Sequence, residues 1–228
     1  MNVIVAPSRS FAFTAAQWIA VKLNALVEAR GQCSLALAGG QTPRAVYQEL
    51  AQQRVSWPAV RVYFGDERRV PPDHPDSNYR MARESLLDRL PAPGAVVHRM
   101  LGELEDGEEA AAAYERVLPA QLDLLLLGMG GDAHIASLFP GSPAIVEPTM
   151  RVVAVPGLPG SVGRLTITGA EVARARDVAV LVAGRSKAEM VREVLHGEVN
   201  PMVRPAQLAR HGTWLLDADA AAELPLAT

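Results

Sequence analysis

The chain has 228 residues, 49% of them hydrophobic, and its 22 basic and 25 acidic residues leave a formal net charge of −3. That is enough for one well-buried core, removing on the order of 70% of the unfolded surface from water, and the mixed charge excludes a basic face for nucleic acid or an anionic membrane. One cysteine, Cys33, excludes a disulfide framework and a thiolate metal cluster and suits a reducing compartment.

In chain order, the opening MNVIVAPSRS lacks the basic and apolar regions of a secretion signal, and no stretch is expected to reach the roughly 18 apolar residues of a membrane span. A soluble, cytoplasmic protein is the expectation. Val3 to Ala6 reads as a short strand. Phe11 to Arg30 carries helical spacing at Trp18, Val21, Leu23 and Leu26 until Gly31 ends it, and Cys33 to Ala38 is a second strand. Gly39-Gly40-Gln41-Thr42-Pro43 follows, with Thr42 expected as N-cap and Pro43 at the first position of a helix running to about Gln53. Val60 to Gly65 is a third strand that delivers Asp66-Glu67-Arg68-Arg69 into a Pro-rich loop. Ser77 or Asn78 then caps a helix through Leu90.

Val96 to Met100 reads as a short strand carrying His98, and the acidic, Ala-rich Glu103 to Val117 as an exposed amphipathic helix. The stretch Leu122 to Pro143, LDLLLLGMGGDAHIASLFPGSP, is the centre of the chain: a Leu-rich strand buried on both faces and stopped by glycine. Val152 to Val155 is a strand, and Pro156 to Gly163 a Gly- and Pro-rich loop expected to be mobile or a lid. Arg164 to Thr168 and Asp177 to Ala183 are strands, Ser186 to Leu195 a helix, and Thr213 to Leu216 a last strand before a short Ala-rich helix. Strands alternating with helices throughout imply a single α/β domain over residues 1–228, with a mostly parallel sheet and helices on both faces.

Polar residues cluster where strands stop, the edge at which open α/β sheets bind ligands. The Gly39-Gly40 turn feeds a helix N-terminus, whose free N–H groups and dipole suit a phosphate, although the spacing and lysine of a P-loop are absent. Two cations strengthen the anion reading over the alternative of solvated surface charges. Arg164 opens a strand, and Lys187 sits in the first turn of a helix, where a cation is disfavoured without an anion nearby. Gly128 to Ala133 also fits G-x-G-x-x-A, the dinucleotide fingerprint. Asp132 would then lie beside the pyrophosphate, and His134 with Pro140 leaves little room for the crossover helix, so a nucleotide site is rejected.

His134 is the acid/base candidate. A neutral imidazole, with an ordinary pKa of about 6.5, can take a proton from water, and Asp132 stands two residues away at the end of the central strand. His74, His98, His196 and His211 have no comparable setting. Asp132 and His134 could be two metal ligands, but no further pair at ligand spacing completes a set.

Four motifs in this order, LAGGQTPR (37–44), FGDERRVP (64–71) with Ser77-Asn78, LGMGGDAHIASLFPG (127–141) and RLTIT (164–168) followed by Gly184-Arg185-Ser186-Lys187, resemble the 6-phosphogluconolactonases. These belong to the larger sugar-phosphate isomerase and glucosamine-6-phosphate deaminase superfamily. The resemblance implies a Rossmann-like three-layer α/β/α fold and hydrolysis of 6-phospho-D-glucono-1,5-lactone in the oxidative pentose phosphate pathway. It implies no cofactor and no metal, and a small phosphorylated sugar lactone as the partner; the oligomeric state is left open, a monomer being the expectation. By the same resemblance His134 is the general base, Asp132 its neighbour, and Arg68 the group that orients or stabilises the reacting carboxyl region. Gly39, Gly40, Thr42, Arg164 and Lys187 become phosphate-side groups, and Gln41, Arg44 and Asp66 further substrate contacts.

Departures from the family pattern are visible. The usual S-G-G-S-T-P turn has Ala38 and Gln41 in place of both serines, and Ala133 replaces the glycine of D-G-H. If that position needs a positive φ, alanine costs about 1 kcal/mol. Two rival functions remain. The deaminases of the superfamily read D-G-H-I-A-F-N-E-P-G, with a glutamate where Phe139 stands here, which favours lactone hydrolysis. A non-catalytic sugar-phosphate sensor would need an attached partner domain, and no stretch is left to form one.

Overall fold

The structure is a computed structural model, described here for residues 1–157 and 160–225. Its elements in chain order are β1 (Asn2–Ala6), α1 (Phe11–Arg30), β2 (Cys33–Leu37), α2 (Gln41–Leu50), β3 (Val60–Phe64), β4 (Asp66–Arg68), α3 (Asn78–Ser85), β5 (Val96–Val97), α4 (Gly107–Val117) and β6 (Leu124–Gly128). After these come β7 (Val152–Val155), β8 (Arg164–Ile167), α5 (Gly169–Arg174), β9 (Asp177–Val182), α6 (Ala188–His196) and β10 (Thr213–Asp217).

Seven strands form one sheet in the order β1-β10-β9-β6-β2-β3-β5, every pair parallel, with helices on both faces. Burial follows position. Central β2 (CSLAL) is buried at all five residues, because a parallel strand covered on both faces needs apolar side chains on both. Edge strand β1 is mostly exposed or half-buried, and the opposite edge, β5, is only two residues long, which limits the open hydrogen-bonding edge.

The chain runs outward from β2 to β3 and β5, then returns to β6 and runs the other way to β9 and β10. The direction therefore reverses between β2 and β6, whose pairing spans only Leu35↔Leu124 and Ala36↔Leu125 before the strands part. The crevice at their carboxyl ends is the expected place for a ligand.

Helix α1 buries Phe11, Ala15, Ala16, Ile19, Ala20 and Leu23 as one stripe and ends at Gly31, whose φ of 76° and N–H to the Val27 carbonyl make the left-handed stop expected of glycine. Contrary to the sequence expectation, Ser8–Arg30 is long and apolar enough for a membrane span, with a mean hydropathy of 1.2. Alanines on several faces lift that average, and the buried stripe is that of a core helix.

Several boundaries differ from expectation for local reasons. Helix α2 starts at Gln41 with Gly40 as N-cap, not at Pro43 with Thr42 as cap. The φ of 102° at Gly40, open to glycine, turns the chain into the helix at once, and no side chain caps it. Ser77 caps α3, accepting from the Arg80 N–H, but the helix stops at Ser85 and a 3₁₀ turn replaces its expected end. Asp106, capping the N–H groups of Glu108 and Glu109, delays α4 to Gly107. The Ala-rich end forms turns in place of a helix, with Asp217 taking the N–H groups of Ala220 and Gly184.

The largest difference is a second sheet. Asp66–Arg68, expected as loop, pairs antiparallel with β8, which pairs antiparallel with β7. Gly65 joins the two sheets: its N–H reaches the Leu37 carbonyl and its carbonyl accepts from Ile167 N–H, both at 2.9 Å. Helix α5 was not anticipated. The expected lid, Pro156 to Gly163, contains residues 158 and 159, which lie outside the described residues.

Candidate active site

A cavity of about 380 Å³ opens at the β2/β6 crevice. One wall is the Gly39-Gly40 turn with Gln41, Thr42 and Pro43 of the uncapped α2 terminus. Backbone N–H groups there lack the partners that a longer helix would give them, which suits an anion.

The second wall grows from the end of β6. Gly130 N–H bonds the His134 carbonyl at 2.9 Å and Ala133 N–H the Gly130 carbonyl at 3.3 Å, closing a tight loop. That loop is left-handed at Ala133 (φ 65°) and Ala136 (φ 48°), so alanine carries the strained conformation that the sequence raised as a condition. The His134 ring folds back so closely that a Cβ on Gly130 would lie 2.1 Å from Nδ1. Its Nδ1 stands 2.6 Å from Asp132 Oδ1, which also accepts the His134 backbone N–H at 3.2 Å. With Nδ1–H donated to the carboxylate, Nε2 carries the free lone pair of the neutral ring. Partial burial works against the charged form of Asp132, but the hydrogen bond from His134 and its charge outweigh it and hold the carboxyl below its ordinary range. Phe139 packs on the imidazole with ring centroids 4.9 Å apart.

The third wall is the small sheet. Arg68 and Arg164 both line the cavity, and among the described residues the buried Nε of each has no partner. Burial, and then the nearby Arg68 charge, push the Arg164 guanidinium below its usual value, against Asp66, Asp76 and Glu67. Lys187, the N-cap of α6, completes the cationic side; burial lowers its pKa against the opposing pull of Asp132. Behind this wall, buried Glu67 accepts from the N–H groups of Arg68 (2.7 Å), Asn78 (2.7 Å) and Tyr79 (2.8 Å) and from Ser77 Oγ (3.0 Å), fixing the start of α3. Burial nonetheless pushes its carboxyl above the ordinary range.

Nine of the sequence candidates thus share one cavity: Gly39, Gly40, Gln41, Thr42, Asp66, Arg68, His134, Arg164 and Lys187. Asp132 does not line it and sits behind His134. Arg44 is exposed on α2, outside the lining. Three further lining residues, not among the sequence candidates, hold the walls together through their side chains. Buried Asn78 donates through Nδ2 to both the carbonyl and Oδ1 of Asp66 at 3.0 Å, and its amide packs directly on Gly39. Ser137 Oγ donates to Asp66 Oδ2 at 2.6 Å, linking the histidine loop to the small sheet, and Phe139 covers the imidazole. The sequence did hold a signal for Asn78: with Ser77 as cap, the next asparagine is free to act elsewhere. Among the described residues, no three His, Cys, Asp or Glu side chains are grouped to hold a metal ion.

The arrangement pairs an oriented imidazole with a cationic, glycine-lined pocket, which suits proton transfer on a small anionic substrate. Comparison with known proteins identifies the family. The family model described as glucosamine-6-phosphate isomerases/6-phosphogluconolactonase matches residues 7–216. The chain is 40% identical over 220 residues to a 6-phosphogluconolactonase of Synechocystis, covering 90% of each. It is 40% identical over 224 residues to one of Mycobacterium tuberculosis, covering 89% of this chain and 90% of the other. Among solved structures, a 6-phosphogluconolactonase from Trypanosoma brucei superposes with a TM-score of 0.85 at 29% identity, over 98% of both chains. The chain therefore belongs to the glucosamine-6-phosphate isomerase/6-phosphogluconolactonase family.

Proposed function

We propose that this chain hydrolyses 6-phospho-D-glucono-1,5-lactone to 6-phospho-D-gluconate, with His134 as the general base. The observation that carries the reading is that one cavity holds both the Asp132-oriented imidazole and the cluster of Gly39, Gly40, Arg164 and Lys187. The cluster takes the phosphate, which leaves the lactone ring at the imidazole.

His134 Nε2 accepts a proton from water as the oxygen attacks the lactone carbonyl. Asp132, kept ionised, stabilises the imidazolium that forms. Arg68 faces the developing oxyanion. The imidazolium then returns its proton to the ring oxygen as the carbonyl–oxygen bond breaks, so one residue serves as base and then acid. Arg164 and Lys187 hold the phosphate alike in ground and transition states and act mainly on KM.

The test is a continuous assay with lactone and, separately, amino-sugar phosphate, each measured above spontaneous reaction. Turnover of the lactone alone is expected. Turnover of the amino-sugar phosphate alone, or binding of either without turnover, overturns the reading.

A further inference from the structure

Ladder pairing between β2 and β6 stops at Ala36↔Leu125, yet the chain runs on through Ala38 before the Gly39-Gly40 turn. The Leu37 carbonyl takes Gly65 N–H on the β3 side, so by the alternation of a strand the polar groups of Ala38 point to the side that β6 has left. Both are nevertheless paired, and by one atom. The Tyr47 hydroxyl accepts from Ala38 N–H at 2.8 Å and donates to the Ala38 carbonyl at 3.0 Å. A single phenol thus replaces a partner strand where the strands part.

Tyr47 is fully buried and sits on α2, the helix that starts from the turn itself. Its hydroxyl ties the helix back to the strand, so the turn is held from both sides. Burial drives the phenol far above its ordinary pKa, keeping it neutral, the form that can donate and accept at once.

We propose that Tyr47 is a positioning residue for the phosphate end of the substrate: through Ala38 it sets where the backbone of Gly39 and Gly40 stands relative to Arg164 and Lys187. This rests on the reading that the turn takes the phosphate. A neighbouring pair supplies a control. The Tyr114 hydroxyl makes the same two bonds to Phe64, accepting from its N–H at 2.7 Å and donating to its carbonyl at 3.2 Å, at the end of β3 that leads to Asp66 and Arg68. The two phenols are equivalent in the fold and differ in the part of the site they support.

The experiment compares wild type, Tyr47→Phe and Tyr114→Phe on the phosphorylated lactone and on the unphosphorylated lactone of the same sugar acid. The readout is the ratio of the two kcat/KM values. For Tyr47→Phe the ratio should fall about tenfold, mostly through KM for the phosphorylated substrate. For Tyr114→Phe both substrates should lose activity in similar proportion. If Tyr47→Phe does not fold, replacing Ala38 by lactic acid, which removes the N–H bonded to Tyr47 and weakens the Leu37 carbonyl as acceptor for Gly65, must lower the same ratio. A ratio unchanged in the variant that folds, or equally changed in both phenylalanine variants, overturns the role of Tyr47. Wild-type protein with no preference between the lactones overturns instead the phosphate reading beneath it.

Discussion

Arg68 and Arg164 are register partners across the antiparallel pair β4/β8, so two guanidinium groups stand opposite each other on one face of the small sheet. Like charges so placed destabilise a sheet by a few tenths of a kcal/mol up to about 1 kcal/mol. A phosphate bound at Arg164 offsets that charge and relieves the repulsion. Arg164→Gln should therefore leave the ligand-free protein at least as stable as wild type in thermal melts. The same variant should lose most of the Tm increase caused by inorganic phosphate, and raise KM about tenfold with kcat little changed. A loss confined to kcat would move Arg164 to the reacting end.

For His134, replacement by Asn should lower kcat roughly 10²- to 10⁴-fold with little change in KM. Asp132→Asn should cost roughly 10²-fold in kcat, because the amide no longer holds the imidazole in one tautomer or balances its charge. Steady-state kinetics at neutral pH, corrected for spontaneous hydrolysis, decide both. Near wild-type turnover in the His134 variant would remove the base from the mechanism.

Lys187 gives a pH prediction. Burial, only partly opposed by Asp132, places its folded pKa below the ordinary 10.5, so the charge is lost earlier on the alkaline side than for a free lysine. Affinity for 6-phosphogluconate, measured by calorimetry, should be fully present below that lowered pKa and fall as pH rises through it. Lys187→Arg should bind and lose this alkaline limb. Binding that stays flat in the wild type up to pH 10.5 would contradict the placement.

Ala133 tests the strained loop. Its left-handed backbone costs about 1 kcal/mol, while its fully buried methyl contributes about 0.8 kcal/mol. Ala133→Gly should therefore change stability in urea by less than about 1 kcal/mol, since these effects oppose each other and glycine also loosens the unfolded chain. Ala133→Val, adding a branched side chain at positive φ, should lower stability by about 2 kcal/mol or more and slow turnover by displacing the adjacent His134.

Much of this was legible because strong local signals agreed. Gly31 stops α1, glycine stops the buried β6, and the polar residues that follow β2, β3 and β6 meet at one edge. The small sheet was not legible. Asp66, Glu67 and Arg68 are three charged residues with no strand pattern, made extended by partners about a hundred positions later, and such pairing overrides propensity. The α2 cap misled for a related reason: Thr42 and Pro43 carry the usual signals, but the φ of Gly40 lets the helix begin two residues sooner. Arg44 lay within a site motif, yet helical phase carries it away from the cavity. Ser137 looked like an ordinary loop residue because its partner, Asp66, comes from a distant part of the chain.

Among the described residues, strand β1 pairs only with β10, Asn2↔Thr213 through Ala6↔Asp217. Because β10 lies more than two hundred residues later, β1 gains its partner strand only after the intervening elements have been made. A chain cut before Thr213 would therefore leave NVIVA as an unpaired, β-prone segment, and the long sequence separation makes this pairing a late step in folding.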